Sequence, residues 1–323
     1  MSAALRAAEV CEAAGDLWDL TGVLAFAEYQ RGTLARPEPT AAHAARLTGL
    51  AERVAPMAEH LGHLGAEFLV VASRIRIEGI YRADLAFIER MGRHVVEICE
   101  RGGLPWLYVG HLYRGLAAHW RDDWETAERE LRLAEQLEAP GAVGGQSAAH
   151  LALHLAHAGR GDEVAELAVA RRPGFPVPGR PSSIGAWNML LGFVEALALA
   201  GRRDEVAALR PLLDEAQALD EWIAFDGRLV ATRVAIAAAA AHDWDVAERH
   251  FTTALTTAEA LGNRIEQADL GFWRARMLLD RDAPGDRETA ATLATEVARR
   301  YRELGIPWQA ERAATLVESE TPG

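Results

Sequence analysis

The chain has no lysine: every one of its 34 basic residues is an arginine. P-loop ATPases, protein kinases and pyridoxal enzymes each need a lysine in the site, so these three classes are excluded. The HExxH, GxSxG, GxGxxG and calcium-loop patterns are absent too. We therefore predict that the chain is not an enzyme and carries no cofactor.

Positive charge is scarce, because 47 acidic residues leave a net charge of −13 and a pI near 5.4. Nucleic-acid binding depends on basic contacts to phosphates, so no direct nucleic-acid partner is expected. The longest apolar stretch, 186–200, contains Asn188 and Glu195 and is too short to cross a bilayer. We find no basic amphipathic run and no signal peptide, and so expect a cytoplasmic protein that binds no membrane.

Cysteine is nearly absent. The two that occur, Cys11 and Cys99, lie about two repeats apart, near the ends of predicted helices. We expect two free thiols in a reducing compartment rather than a disulfide.

What the chain does have is a repeated helical pattern. Within 243–279 we predict two helices joined at Gly262, the first with apolar residues at three- and four-residue steps. Its Ala247, Phe251 and Ala254 form a small–large–small series, which lets a partner helix approach while the aromatic ring fills the gap. Asp243 is placed to cap the start of this helix, and Gly262 its end.

Copies of this unit occur along the chain. Residues 123–129 (DWETAER) match residues 243–249 (DWDVAER), 120 positions later, which is three steps of about 40 residues. The helix ends repeat as well, since 99–106 (CERGGLPW) resembles 301–308 (YRELGIPW). Further helix starts of the same kind occur at 162–165, 204–207 and 287–290.

These units resemble the tetratricopeptide-like α-solenoid superfamily, with a period longer than its usual ~34 residues. The chain is more closely similar to the C-terminal helical-repeat regions of large bacterial signalling proteins. In those proteins an ATPase module is joined to a nucleotide cyclase or to a helix-turn-helix domain, as in activators of the maltose-regulator type. The helix ends and the turn at 285–290 (GDRETA) carry the likeness. It implies an all-α, right-handed solenoid and a regulatory role; the ATPase, cyclase and DNA-binding domains themselves are absent from this chain.

The predicted organisation is one domain, 1–323, with about seven antiparallel helix pairs, a half-repeat at each end and no strand. A proline-rich segment, 173–181, is the strongest break; it is either an extended connection at a soft boundary or a rim loop that closes over a partner. Pro56 is expected to kink or restart its helix. The predicted pairs are 17–33 with 41–61, 64–81 with 85–100, 105–120 with 124–137, 146–158 with 162–172, 182–200 with 204–219, 221–241 with 243–261, and 264–280 with 287–304.

The first predicted helix, 3–14, resembles the second half of a repeat. It ends at Gly15 and is followed by Trp18, as Gly103 is followed by Trp106. We hypothesise that the chain is a fragment or descendant of a longer solenoid, in which case its native gene encodes an N-terminal extension. The recurring tryptophans are expected to be structural.

In tetratricopeptide solenoids the first helix of each pair lines a concave groove, and the resemblance directs the search for a site to these helices. Arginine can hold a carboxylate or phosphate through two bonds, and aromatic rings supply flat apolar walls. The predicted ligand- or partner-binding residues are Arg74, Glu78, Tyr108, His111, Arg114, His150, His154, Asn188, Asp226, Arg233, Trp273 and Arg274.

Metal binding is the one chemical alternative. His150, His154 and His157 are spaced to share one helix face, which suits a metal ion. No cysteine or second histidine cluster is near them in the sequence, so we interpret them as a polar helix face and predict no metal site. Carboxylate pairs such as Asp243 with Asp245 lie at helix starts, where the helix dipole explains them without catalysis.

Two functions remain open. The first is a regulatory recognition module that binds a protein segment on its concave face and is coupled to a signalling or transcription effector. The second is a sensor that binds a small metabolite between repeats. An open groove would favour the first, and a closed apolar pocket with convergent arginines the second.

Overall fold

The structure is a computed structural model that describes residues 2–31, 49–139, 144–218 and 226–319. This part of the chain contains 17 α-helices, one π-helical turn (Ile75–Ile80), one 3-10 turn (Arg172–Gly174) and no β-strand, so the all-α prediction is confirmed. The helices are α1 (Ser2–Ala14), α2 (Leu17–Arg31), α3 (Leu50–Leu61), α4 (Leu64–Arg74), α5 (Leu85–Gly102), α6 (Leu107–Trp120), α7 (Trp124–Leu137), α8 (Gln146–His157), α9 (Gly161–Arg171), α10 (Ile184–Leu199), α11 (Arg203–Ala208), α12 (Arg210–Ala218), α13 (Val230–Ala240), α14 (Trp244–Leu261), α15 (Arg264–Arg281), α16 (Asp286–Glu303) and α17 (Pro307–Ser319).

Short polar side chains and glycines set the helix ends. The carboxylate of Asp123 accepts the N–H of Thr126 at 3.2 Å, and the amide oxygen of Asn263 accepts that of Glu266 at 3.2 Å. Gly262 ends α14 with φ +65°, as predicted. Asp243 does begin α14, but its side chain makes no capping bond there.

Most predicted helices are found, with three differences. The helix predicted at 204–219 is split into α11 and α12, because Pro211 has no N–H and disfavours helical geometry at the residue before it. The helix predicted at 64–81 ends in the π-helical turn. Pro56 lies inside α3, which continues through it without a restart. Residues 32–33, 41–48, 219 and 221–225 of the predicted helices lie outside the described residues.

Consecutive helices pack against each other and form two hydrophobic cores. A small core joins α1, α2, α3 and part of α4; it contains Leu20, Leu24, Val54 and Val70. A much larger core runs from α4 to α17. The two cores divide the molecule into a leading unit, α1–α3, and a closed region, α4–α17.

The closed region takes its name from contacts between residues far apart in the chain. The N–H of Arg264 donates to the carbonyl oxygen of Tyr81 at 2.8 Å. The indole N–H of Trp308 donates to the carbonyl oxygen of His119 at 2.9 Å. In an extended repeat array each unit touches only its neighbours, so these contacts show that the later helices fold back onto the earlier ones. No helix in the described residues is both long and apolar enough to cross a membrane.

Candidate functional site

A network of buried charged side chains lies where α10, α13 and α15 meet in the closed region. The Arg228 guanidinium donates from Nη2 to Glu195 Oε1 at 2.9 Å and also contacts Asp269. Nη2 of Arg233 lies 2.8 Å from Asp226 Oδ2 and 3.1 Å from Glu195 Oε2. None of these five side chains is more than 8% exposed. The network is therefore part of the interior, and solvent does not screen it.

The turn before α13 holds the network in place. Gly227 has φ +82°, a conformation that favours glycine, and its carbonyl oxygen accepts a bond of 2.7 Å from the Asn263 amide. The Glu266 carboxylate accepts the N–H of Leu229 at 3.1 Å and the hydroxyl of Thr232. Backbone groups thus fix Glu266 beside Arg228, at 3.4 Å.

The charges in the network do not balance, because four carboxylates (Glu195, Asp226, Glu266 and Asp269) face two guanidinium groups. Burial would raise the pKa of Asp226, but the adjacent Arg233, with His150 and Arg228, lowers it to about 2. For Glu266 burial outweighs the arginines and raises the pKa. Of Asp226 and Glu266, Glu266 therefore takes up a proton more readily as the pH falls.

Four of the predicted residues come together in this network. Asp226 and Arg233 form the ion pair just described, and Nε2 of His150 lies 3.9 Å from Asp226 Oδ2. The indole N–H of Trp273 donates to Glu195 Oε1 at 3.2 Å. The prediction thus selected four members, all buried, on or next to three different helices.

The other predicted residues lie elsewhere. His111 and Arg114 both contact the Glu130 carboxylate, at 2.8 Å and 2.9 Å. Tyr108 is buried in the large core, and Asn188 is half-buried on α10. The remaining pairs are nearer the surface: Arg74 with Glu78 at 2.9 Å, and Arg274 with Glu248 at 3.1 Å.

His154, the last predicted residue, belongs to a second buried cluster. Its Nδ1 lies 3.1 Å from Nδ1 of His119, so one ring donates and the other accepts. The Trp308 ring packs edge-on against His119 and His157, and Arg312 lies 2.6 Å from Nδ1 of His157. Burial lowers the pKa of His154 to about 4 and lowers those of His119 and His157 well below the ordinary value. This cluster fastens α17 to α6 and α8 while its histidines are neutral.

The sequence prediction missed Glu195, Arg228, Glu266 and Asp269. A signal for Glu195 was available, since it is a carboxylate inside an otherwise apolar stretch, and a buried charge needs a partner. The other three residues carry no such signal, because helical periodicity does not say which distant helix a face will meet. The described residues contain no group of three or more histidine, cysteine or acidic side chains that could hold a metal ion.

A small cavity of about 30 Å³ lies next to the network, between α13, α14 and α15. Its lining includes Trp273, Arg276, Ile236, Phe251 and Met277. This volume has room for about one water molecule. The site is thus a filled polar interior and not an open groove.

Comparison with known proteins finds no match for this chain, whether against protein-family models, against curated proteins or against solved structures.

Proposed function

We propose that the chain is a right-handed, tetratricopeptide-like α-solenoid of about seven helix pairs that acts as a regulatory recognition module. Its concave face binds a charged protein segment in the cytoplasm and is coupled to a signalling or transcription effector. Buried packing at repeat positions supports the fold: Ala247, Phe251 and Ala254 are all buried on α14, which packs against α13 and α15.

The observation that carries the functional proposal is the buried ion network on the first helices of the pairs. A repeat core needs only apolar contacts, and buried ion pairs stabilise a protein less than well-packed apolar residues of similar volume do. Since apolar residues in its place would serve stability as well, we infer that the network serves recognition. Each charged group in the network could leave its present partner and pair with a charged group of a ligand. An apolar core that is opened exposes its side chains to water and has no such pairing to offer.

The proposal requires the closed region to open when the ligand binds. The bonds of Arg264 to Tyr81 and of Trp308 to His119, which join early and late helices beside the large apolar core, would have to break for the region to open. A ligand that pairs with Arg233 and Asp226 binds the open form better than the closed one, and so shifts the population toward it. The charges favour a segment with both acidic and basic side chains. Its acidic groups would pair with the arginines of the network, and its basic groups with the carboxylates.

A small metabolite is the second candidate, favoured by one specific observation. Nε and Nη1 of Arg233 are buried and have no hydrogen-bond acceptor among the described residues. The small cavity beside Trp273 lies next to the network, although Arg233 is not one of its lining residues. A compact ligand with an acceptor oxygen would satisfy Arg233, and the interior would have to widen to admit it, because the cavity has room for about one water molecule.

Native mass spectrometry of the protein purified gently from its own cells tests both candidates. An added polypeptide that is lost in Arg233→Met and kept in the surface variant Arg299→Met supports the protein-segment proposal. An added mass of metabolite size with the same dependence on Arg233 supports the second candidate. A bare chain, or a bound mass that ignores Arg233, rejects the network as a recognition site.

A further inference from the structure

Helix α17 carries a half-buried arginine, Arg312, that is not paired with a carboxylate. Its Nη1 donates to Nδ1 of His157 at 2.6 Å, and its guanidinium group lies over the Phe272 ring, 4.9 Å from the centroid. Among the described residues no carboxylate forms an ion pair with it. Arg312 is thus a fixed positive charge that is partly removed from water and has no counter-ion in this part of the chain.

Other half-buried arginines of the chain show what this group can do. Three of them hold a carboxylate by the edge of the guanidinium group that Nε and Nη2 form. The pairs are Arg74 with Glu78, Arg274 with Glu248, and Arg281 with Asp286. In the last pair the two bonds are 2.7 Å and 2.6 Å long. This edge presents two parallel N–H groups, which match the two oxygens of a carboxylate.

The same edge of Arg312 has no acceptor among the described residues. His157 uses only Nη1, and no further hydrogen bond from Arg312 is formed within the part of the chain that the structure describes. Because arginine can only donate, Nδ1 of His157 is the acceptor and the imidazole ring is neutral. His157 therefore accepts one N–H but supplies no negative charge.

The surroundings of Arg312 do not supply that charge either. Burial, and then the neighbouring Arg276, lower the pKa of Arg312 to about 10, so the guanidinium group is still charged at pH 7. The carboxylate that acts on it, Glu195, already pairs with Arg228 and Arg233. A partly buried charge without a counter-ion is unfavourable, and a bound anion would relieve this cost.

We propose that the Nε–Nη2 edge of Arg312 binds a carboxylate of a small dicarboxylate ligand. His157 and Phe272 hold the guanidinium group in one orientation, so little side-chain freedom is left to lose on binding. The second carboxylate is favoured by the positive charge of Arg276 nearby. The site lies on α17, outside the ion network, and binding there does not require the closed region to open. This inference therefore does not depend on the function proposed for the network.

NMR of the arginine Nε–H groups of the full chain tests the site, with malonate as the probe at constant ionic strength and chloride as the reference anion. We expect saturable shifts that include the Nε signal missing from Arg312→Lys. Isothermal titration calorimetry then compares affinities. Arg312→Met should bind malonate at least about tenfold more weakly, because two charge-assisted hydrogen bonds are lost. Arg274→Met is the matched control and keeps the affinity, since Glu248 already occupies that edge.

Three results would overturn the inference. Malonate shifts no arginine signal beyond the effect of chloride. Arg312→Met and wild type bind malonate equally, which places the ligand elsewhere. Inorganic phosphate binds at Arg312 and malonate does not, which makes the ligand class wrong. Arg312→Lys keeps the positive charge but not the two parallel N–H groups, so it must also weaken binding. Circular dichroism confirms that the variants remain helical.

Discussion

The leading unit and the closed region share a sequence pattern but differ in what covers it. Both contain a helix that ends at a glycine with positive φ and is followed by a tryptophan, and the turn geometry is the same in both. Trp18 in the leading unit is half exposed and stacks on a single ring, that of His63. Trp308 in the closed region packs against His119, Trp124 and His157. Local sequence therefore determines the turn, while the helices around it determine how much the turn contributes to stability.

The two regions also differ in how deeply their ion pairs are buried. The closed region buries six ionisable groups in one network, and removing one partner of a buried pair would leave the other without its counter-charge. In the leading unit the pair of Arg53 with Glu12, at 3.5 Å, is more than half exposed. Exposed pairs contribute little, because water screens them and their side chains lose freedom when they pair.

The largest expected effect is that of Arg228→Met. The change leaves the buried Glu195, Glu266 and Asp269 without their shared cation, so we expect the free energy of unfolding to fall by about 3–5 kcal/mol at pH 7. Urea denaturation followed by circular dichroism measures the loss. Arg299→Met removes an exposed arginine that pairs with Glu296 and Glu303 and should leave the midpoint unchanged. Equal midpoints for the two variants would mean that the buried ion pairs contribute no more to stability than the exposed ones do.

The next effect compares the two tryptophans at equivalent positions. Trp308→Ala removes three ring contacts and the bond to His119, and we expect a loss of about 3 kcal/mol. Trp18→Ala should cost about 1 kcal/mol or less, since half of its surface is already in water. Both are measured by urea denaturation at the same pH. Losses of similar size would show that the turn itself, and not its surroundings, supplies the stability.

Acid should weaken the closed region through its buried histidines. Burial lowers the pKa of His154 to about 4, so below its unfolded pKa of about 6.5 the unfolded chain binds the proton more readily than the folded one. Stability is thus fully present near pH 7 and falls progressively as the pH drops toward 4. His154 alone accounts for about 2 kcal/mol between pH 7 and pH 5.

Thermal unfolding at pH 7 and pH 5 measures this loss. His154→Leu should show a smaller fall in Tm between the two pH values than wild type, because the leucine does not titrate. His60→Gln, at the exposed end of α3, is the control and should follow wild type. An unchanged fall in His154→Leu would assign the acid response to groups other than this histidine.

Helices and their ends were well predicted, since caps and apolar periodicity are local properties. The prediction of a helix at 124–137 agrees with α7, whose start is capped by Asp123. The packing of late helices onto early ones was not predicted, because no local pattern around Tyr81 indicates that Arg264 will be its hydrogen-bond partner. The same limit applies to the site: the resemblance to tetratricopeptide solenoids directed the search to the first helices, and so to Arg233 and Asp226, but it could not show that Glu195 and Arg228 would meet them.

The smallest expected effect is that of Val10→Ala. Val10 is 69% exposed, so its truncation should change the free energy of unfolding by no more than about 0.5 kcal/mol. Ile98→Ala at the equivalent position removes a fully buried side chain and should cost about 2–5 kcal/mol. Urea denaturation of both variants gives the contrast directly. Losses of similar size would mean that the turn shared by α1 and α5, and not the packing around each helix, decides what this position contributes to stability.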